Sequence, residues 1–180
     1  RNLYYFAGKD VWKTLFDLEA MRPGMVLLSA QAPDGDPAWC DVVTLMTPVA
    51  TRPWEAWEGS VPGRRPEAYT ALKAAMTQAT VDFACARLPE LRDAIAHTYA
   101  ATPLTYRHYT GAPHGAAYGL LKDWRSIMAS HIPARTKFEN LLLTGQNLTV
   151  HGAIGVTLSA AATCSEIVGT EYLAKKIANA

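Results

Sequence analysis

Residues 141–169 read LLLTGQNLTVHGAIGVTLSAAATCSEIVG, and this stretch constrains the chain more than any other. Leu141, Leu142, Leu143 and Thr144 have the compact apolar character of a buried strand. Gly145 breaks it, a polar segment with Gln146 and Asn147 follows, and Gly152 and Gly155 lead into small residues. From Thr157 onward the stretch is rich in Ala, Ser and Thr, with Leu158, Ile167 and Val168 interspersed. The order is strand, glycine-rich turn, buried helix. Such a unit aims the unpaired N–H groups of a helix N-terminus at whatever lies beyond the strand end, usually an electron-rich or anionic ligand group.

Only 18% of the 180 residues are charged and 49% are apolar. Globular domains average about 25% charged, so a ligand, a partner or a further part of the protein is expected to cover apolar surface. The net charge of +1 offers no electrostatic case for nucleic acid. The pairs Arg64-Arg65 and Lys175-Lys176 read as solvated surface. Cys40, Cys85 and Cys164 lack metal-ligand spacing and read as small buried hydrophobes in a reducing, cytoplasmic compartment. No run reaches the roughly 18 apolar residues of a membrane span, and no signal peptide is present.

Along the chain, residues 2–7 are strand-like and residues 11–21 predict a short helix capped by Asp10, with Trp12, Leu15, Phe16 and Leu18 on one side. Residues 25–30 predict a buried strand and 33–37 a polar turn. Residues 39–47 predict another strand, whose Val42-Val43 and Leu45-Met46 pairs suggest burial on both faces or a bulge. Trp54 and Trp57 read either as a helical turn covering the core or as a stacking platform for a ring-shaped ligand. Residues 66–88 are the clearest helix: Pro66 suits the first helical position, and Tyr69, Leu72, Met76, Ala79 and Phe83 form an apolar stripe. Residues 95–101 alternate like a strand, and Thr102 can cap a helix beginning at Pro103. One final helix is expected from about Gly155 to Ile177. These pieces do not alternate regularly. The expected class is α+β, with a mixed or antiparallel sheet, one long helix and a terminal strand–glycine turn–helix unit.

No nucleophile motif is present, and Ser159 and Ser165 read as packing or backbone-bonded residues. His151 is the one histidine of the five that stands out, because it directly precedes Gly152. Gly111, Gly115 and Gly119 form neither a Walker loop nor GxGxxG. Together with Gly152 and Gly155, they mark two places where backbone comes close to something.

The segment from Leu143 through Gln146, Asn147, His151, Gly152, Gly155 and Val156 into the Ala/Ser-rich helix resembles the C-terminal FAD-binding motif of the phytoene desaturase, carotenoid isomerase and retinol saturase family of flavoproteins. Upstream pieces match in order: Asp36-Pro37 with Trp39, Thr47-Pro48, Trp54, the helix from Tyr69, Leu88-Pro89 and Thr102-Pro103-Leu104-Thr105. Tyr109, Ala112-Pro113 and the run from Gly115 to Gly119 complete the pattern, so the resemblance covers nearly the whole chain.

The resemblance implies an FAD-dependent oxidoreductase that saturates, desaturates or isomerises a carbon–carbon double bond of an apolar isoprenoid or polyene substrate, with NAD(P)H as a candidate electron donor. It implies that Gly145, Gln146 and Asn147 lie near the ribityl and pyrophosphate part of FAD. Gly152, Ala153, Ile154, Gly155 and Val156 would face the pyrimidine side of the flavin ring. Tyr106, Tyr109, Tyr118 and His151 are the substrate-side candidates, and no catalytic acid or base is assigned. Many members of the family carry Asp or Glu where Gln146 stands, so the contact would be a neutral amide here, and the saturase-like members share the Gln. The family's GxGxxG is absent, so the resemblance implies a C-terminal part of a longer chain, inactive by itself. Residues 1–101 would then be part of a substrate-binding domain, and residues 102–180 the return segment of the FAD domain. Exposed apolar surface would favour self-association and peripheral membrane contact. An amine-oxidase-like flavoprotein and a non-catalytic module binding an apolar ligand or a protein remain the rival readings.

Overall fold

The computed structural model describes residues 2–16, 18, 21–32 and 40–179, without the side chains of Leu15, Phe16, Trp124 and Ile127. The polar turn at 33–37, including Asp36-Pro37, and Trp39 lie outside the described residues. The chain divides into two compact units, residues 1–115 and 116–180.

The first unit is built on a three-stranded antiparallel sheet in the order β1 (Asn2–Phe6), β2 (Met25–Gln31), β3 (Val42–Met46). Tyr4 pairs with Leu27, and Leu28 with Leu45. Between β1 and β2 runs the short helix α1 (Val11–Phe16). Its Lys13 N–H donates to the Asp10 carboxylate at 3.0 Å, the expected cap. Trp12 is exposed, which limits the apolar side expected for this helix. Central β2 carries the buried pair Val26 and Leu28, two residues apart and so on one face. The expected two-faced burial of β3 is corrected. Exposed Val42, Thr44 and Met46 alternate with half-buried Val43 and Leu45, because β3 is an edge strand with one covered face.

The long helix α2 (Glu67–Cys85) packs against β2 and β3. Its stripe places Tyr69 and Met76 in the core and leaves Leu72, Ala79 and Phe83 half-buried. Pro66 is the N-cap, with extended backbone (φ −61°, ψ 158°), one position before the expected one. Proline fixes φ near −65°, which suits either position, so the sequence pattern does not separate them. At the other end Arg87 lies 3.4 Å over the Phe83 ring and donates 3.3 Å to the Phe6 carbonyl, tying α2 to β1.

The core gathers Trp54, Tyr69, Met76 and Leu104, with Val49, Trp57 and Leu72 against it. Trp54 and Trp57 lie on a 3-10 turn, Arg52–Trp57, and both rings meet Tyr69 edge-on at 5.7 Å. Each such pair adds about 0.5–1.5 kcal/mol beyond area burial. Trp54 is 3% exposed, so the core reading of the Trp pair holds and the platform reading does not. Leu104 reaches this core from α4 (Pro103–Thr110), which follows the single-turn helix α3 (Leu91–Ala94). At the start of α4, the Thr102 N–H donates to Thr105 Oγ1 at 3.1 Å. Gly111 stops the helix in the left-handed conformation (φ 69°). Residues 95–101 form no strand. They have no pairing partner in the sheet, and Tyr99 is 94% exposed.

The second unit contains the single-turn helix α5 (Ile127–Ser130), α6 (Gly152–Val168) and α7 (Thr170–Ala178). The single final helix expected from the sequence is therefore two. Gly169 separates them at φ 85°, ψ 141°, a conformation open essentially to glycine alone. The expected strand at residues 141–144 is reduced to one bridge, Leu142 with Arg135, beside a 2.8 Å bond from Leu143 N–H to the Ala134 carbonyl. Leu141 and Leu143 are correspondingly exposed. The cysteine expectation holds only for Cys85; Cys40 and Cys164 are exposed. Among the described residues no helix is long and apolar enough to cross a membrane, and no group of three or more His, Cys, Asp or Glu could hold a metal ion.

Candidate functional site

The glycine-rich turn of the second unit is assembled by hydroxyl side chains on α6. Ser159, 1% exposed, accepts a 3.0 Å hydrogen bond from the Gly145 N–H. One turn later Thr163 Oγ1 donates 2.7 Å to the Leu143 carbonyl and 2.9 Å to Ser159 O. Ser159 and Thr163 thus give the broken strand the partners that a sheet neighbour would otherwise supply. This meets the packing reading of Ser159. It also places Gly145 at φ 109°, a turn that a side chain would strain. Arg135 locks the far end through Glu166, with Nε to the carboxylate at 2.7 Å and Nη2 to the backbone carbonyl at 3.0 Å.

Gly155 is buried, and a Cβ there would overlap the Val150 carbonyl, so the loop folds directly onto the first turn of α6. Gly152 opens the helix at φ 80° with nothing within 4 Å of a would-be Cβ. His151, the N-cap, gives no side-chain cap, and the first turn holds no acidic residue. Ile154 is 79% exposed. The N-terminus of α6 is therefore open and electropositive, with its partial charge uncompensated by side chains.

The two glycine segments meet. The Leu120 N–H donates 2.9 Å to Asn147 Oδ1, and a Cβ on Gly119 would overlap that same oxygen. Tyr118 stacks on His151 with ring centroids 4.6 Å apart at 34°. Lys122 Nζ donates to the carbonyls of Ser130 (2.5 Å), Asn147 (2.7 Å) and Leu148 (3.0 Å), gathering three acceptors under one charge. Lys122 lies in a stretch with no motif or periodicity, and only tertiary contacts reveal its role.

Of the residues expected at a site, 145–147, 152–156, Tyr118 and His151 all belong to the second unit. Gln146 is exposed in the turn after Gly145. Tyr106 and Tyr109 lie on α4 in the first unit, where Tyr109 meets His108 edge-on at 4.8 Å. Gly115 is explained inside that unit, since a Cβ would overlap Pro103. The α6 N-terminus fits the electron-rich end of a flavin in charge and access. The open space at Gly145 and Gly152 fits close approach of a ligand to the backbone.

The chain is related in sequence to all-trans-retinol 13,14-reductases. It is 30% identical to the Homo sapiens protein and 31% identical to the Macaca fascicularis protein over 143 residues, which is 74% of this chain and 23% of each relative. An inactive all-trans-retinol 13,14-reductase of Danio rerio is 30% identical over 57% of the chain and 17% of its own length. The chain thus spans about a quarter of the length of the first two relatives. No protein-family model matches it, and no solved structure does.

Proposed function

We propose that this chain is part of an FAD-dependent oxidoreductase of the retinol saturase type, acting on a carbon–carbon double bond of an apolar isoprenoid-like substrate. The observation that carries the reading is the open N-terminus of α6 joined to the Gly145 turn, in a chain related over 74% of its length to proteins named as retinol reductases. Gln146 and the free backbone N–H groups of Gly152, Ala153 and Ile154 would hold FAD, with Gly155 letting the loop pack onto the first turn. When bound, FAD supplies the hydride chemistry, with NAD(P)H as the proposed donor of electrons. The chain's own contribution is placement. The α6 dipole favours negative charge at its N-terminus, and the Tyr118–His151 stack walls one side of the same turn.

With about a quarter of its relatives' length, the segment alone is expected to retain FAD weakly and to be inactive. Its exposed Ile154, Leu158 and Ile167 favour self-association and contact with a membrane surface. The test uses the longer protein that includes this segment. It should purify with a flavin absorbance band that bleaches anaerobically with its reductant and is restored by a polyene substrate. Anaerobic bleaching by an amine, which is oxidised to an imine as it passes two electrons to the flavin, would favour the amine-oxidase-like reading instead. A protein that holds no flavin and binds an apolar ligand unchanged would favour the non-catalytic one.

A further inference from the structure

Arg65 reads from the sequence as solvated surface, and the structure corrects this. It is half-buried between α2 and α4. Nη1 donates 2.5 Å to the Tyr69 hydroxyl and Nη2 3.2 Å to the Leu104 carbonyl, while Cζ lies 4.6 Å over the Tyr69 ring. Its Nε is buried without an acceptor. Among the described residues Arg65 pairs with no carboxylate; the ion pairs there are Arg92–Asp82, Arg107–Glu58 and Arg135–Glu166. A half-buried guanidinium that lacks a counter-charge and has one N–H without an acceptor is costly unless something supplies them.

A cavity of about 290 Å³ opens beside it. Lys73 and His108 line it with Arg65, and Thr70, Thr105 and Tyr109 bring hydroxyls to its wall. No carboxylate lines it. The carboxylate of the adjoining cavity, Glu58, is already held by Arg107 at 2.6 Å. We propose that the Arg65–Lys73 cavity binds a phosphate-type oxyanion. A guanidinium held by two hydrogen bonds, a second cation on Lys73 and nearby hydroxyls match a tetrahedral anion with several oxygens, and a guanidinium is the preferred partner for one. This site lies wholly within the first unit and is independent of the flavin reading.

Calorimetric titration of the 180-residue chain with inorganic pyrophosphate, with acetate as control, tests the proposal. Saturable pyrophosphate binding is expected, with acetate far weaker. Lys73→Ala should weaken binding about tenfold, the equivalent of one charge-assisted hydrogen bond. It should leave the helical circular dichroism intact, and Arg65→Gln should weaken binding at least as much. Flotation with phosphatidylcholine vesicles, with and without phosphatidic acid, separates the sources. Binding that needs phosphatidic acid, is displaced by pyrophosphate and is lost in Lys73→Ala identifies a lipid headgroup at this site. No binding by either probe, equal binding of acetate, or pyrophosphate binding unchanged in the folded Lys73→Ala protein would overturn it.

Discussion

The Asn147 carboxamide occupies the space in which a side chain on Gly119 would stand, and its Oδ1 accepts a 2.9 Å hydrogen bond from the Leu120 N–H. Two segments nearly thirty residues apart are thereby held in register by one amide. Gly119→Ala is expected to destabilise the chain by about 1–3 kcal/mol through overpacking. The cost should shrink in an Asn147→Ala background, where the clash is gone. Denaturation midpoints for the four proteins of the cycle measure this coupling, and additive effects would show that the two residues do not meet.

Ser159→Ala removes the acceptor of the Gly145 N–H at a position that is 1% exposed. A loss of about 1–3 kcal/mol is expected, as for a buried group left unpaired. Amide hydrogen exchange at Gly145 should accelerate in the variant. Unchanged protection there would mean that Ser159 only fills space.

The Tyr69 hydroxyl accepts from Arg65 and shares a 2.8 Å bond with buried Thr102. Tyr69→Phe keeps both edge-on tryptophan contacts and deletes only this polar link. Stability in urea is expected to fall by about 1–3 kcal/mol, whereas Trp54→Ala should cost about 3–5 kcal/mol.

The Asp82 carboxyl is held below its ordinary pKa of 3.8, chiefly by a hydrogen bond from Gln78 and then by Arg92 at 3.1 Å. A lowered folded-state pKa contributes stability above the ordinary value, and the contribution is lost as pH falls through the still lower folded value. Both partners are exposed, so the effect is small. Asp82→Asn should lower the melting temperature slightly at neutral pH and make no difference well below pH 3.8. A gap between the two proteins that persists in acid would contradict this assignment.

Ala153 is exposed in the first turn of α6, which has no acidic residue. Ala153→Asp should stabilise the helix by about 0.3–1 kcal/mol through its dipole. In the longer protein it should weaken FAD retention, because a fixed negative charge then occupies the anion-favouring end. Flavin retained equally by both proteins on dialysis would count against that placement.

Much of this was legible in the residues. The stripe from Tyr69 to Phe83 predicts α2 because helical periodicity is local, and the Thr-Pro start of α4 is local for the same reason. The glycines at 145, 152 and 155 mark the turn that leads into α6. Strand character was less secure, because a strand exists only through a partner. Residues 95–101 alternate but have none, and residues 141–144 find a single bridge and hydroxyls from α6. Charged residues were least legible. Lys122 gathering three carbonyls, Arg135 holding Glu166 and Arg65 left without a counter-charge each depend on groups many positions away. Periodicity and local chemistry declare where a helix or turn forms. Which polar groups end up paired, and which cavity keeps an unmatched charge, depends on long-range packing.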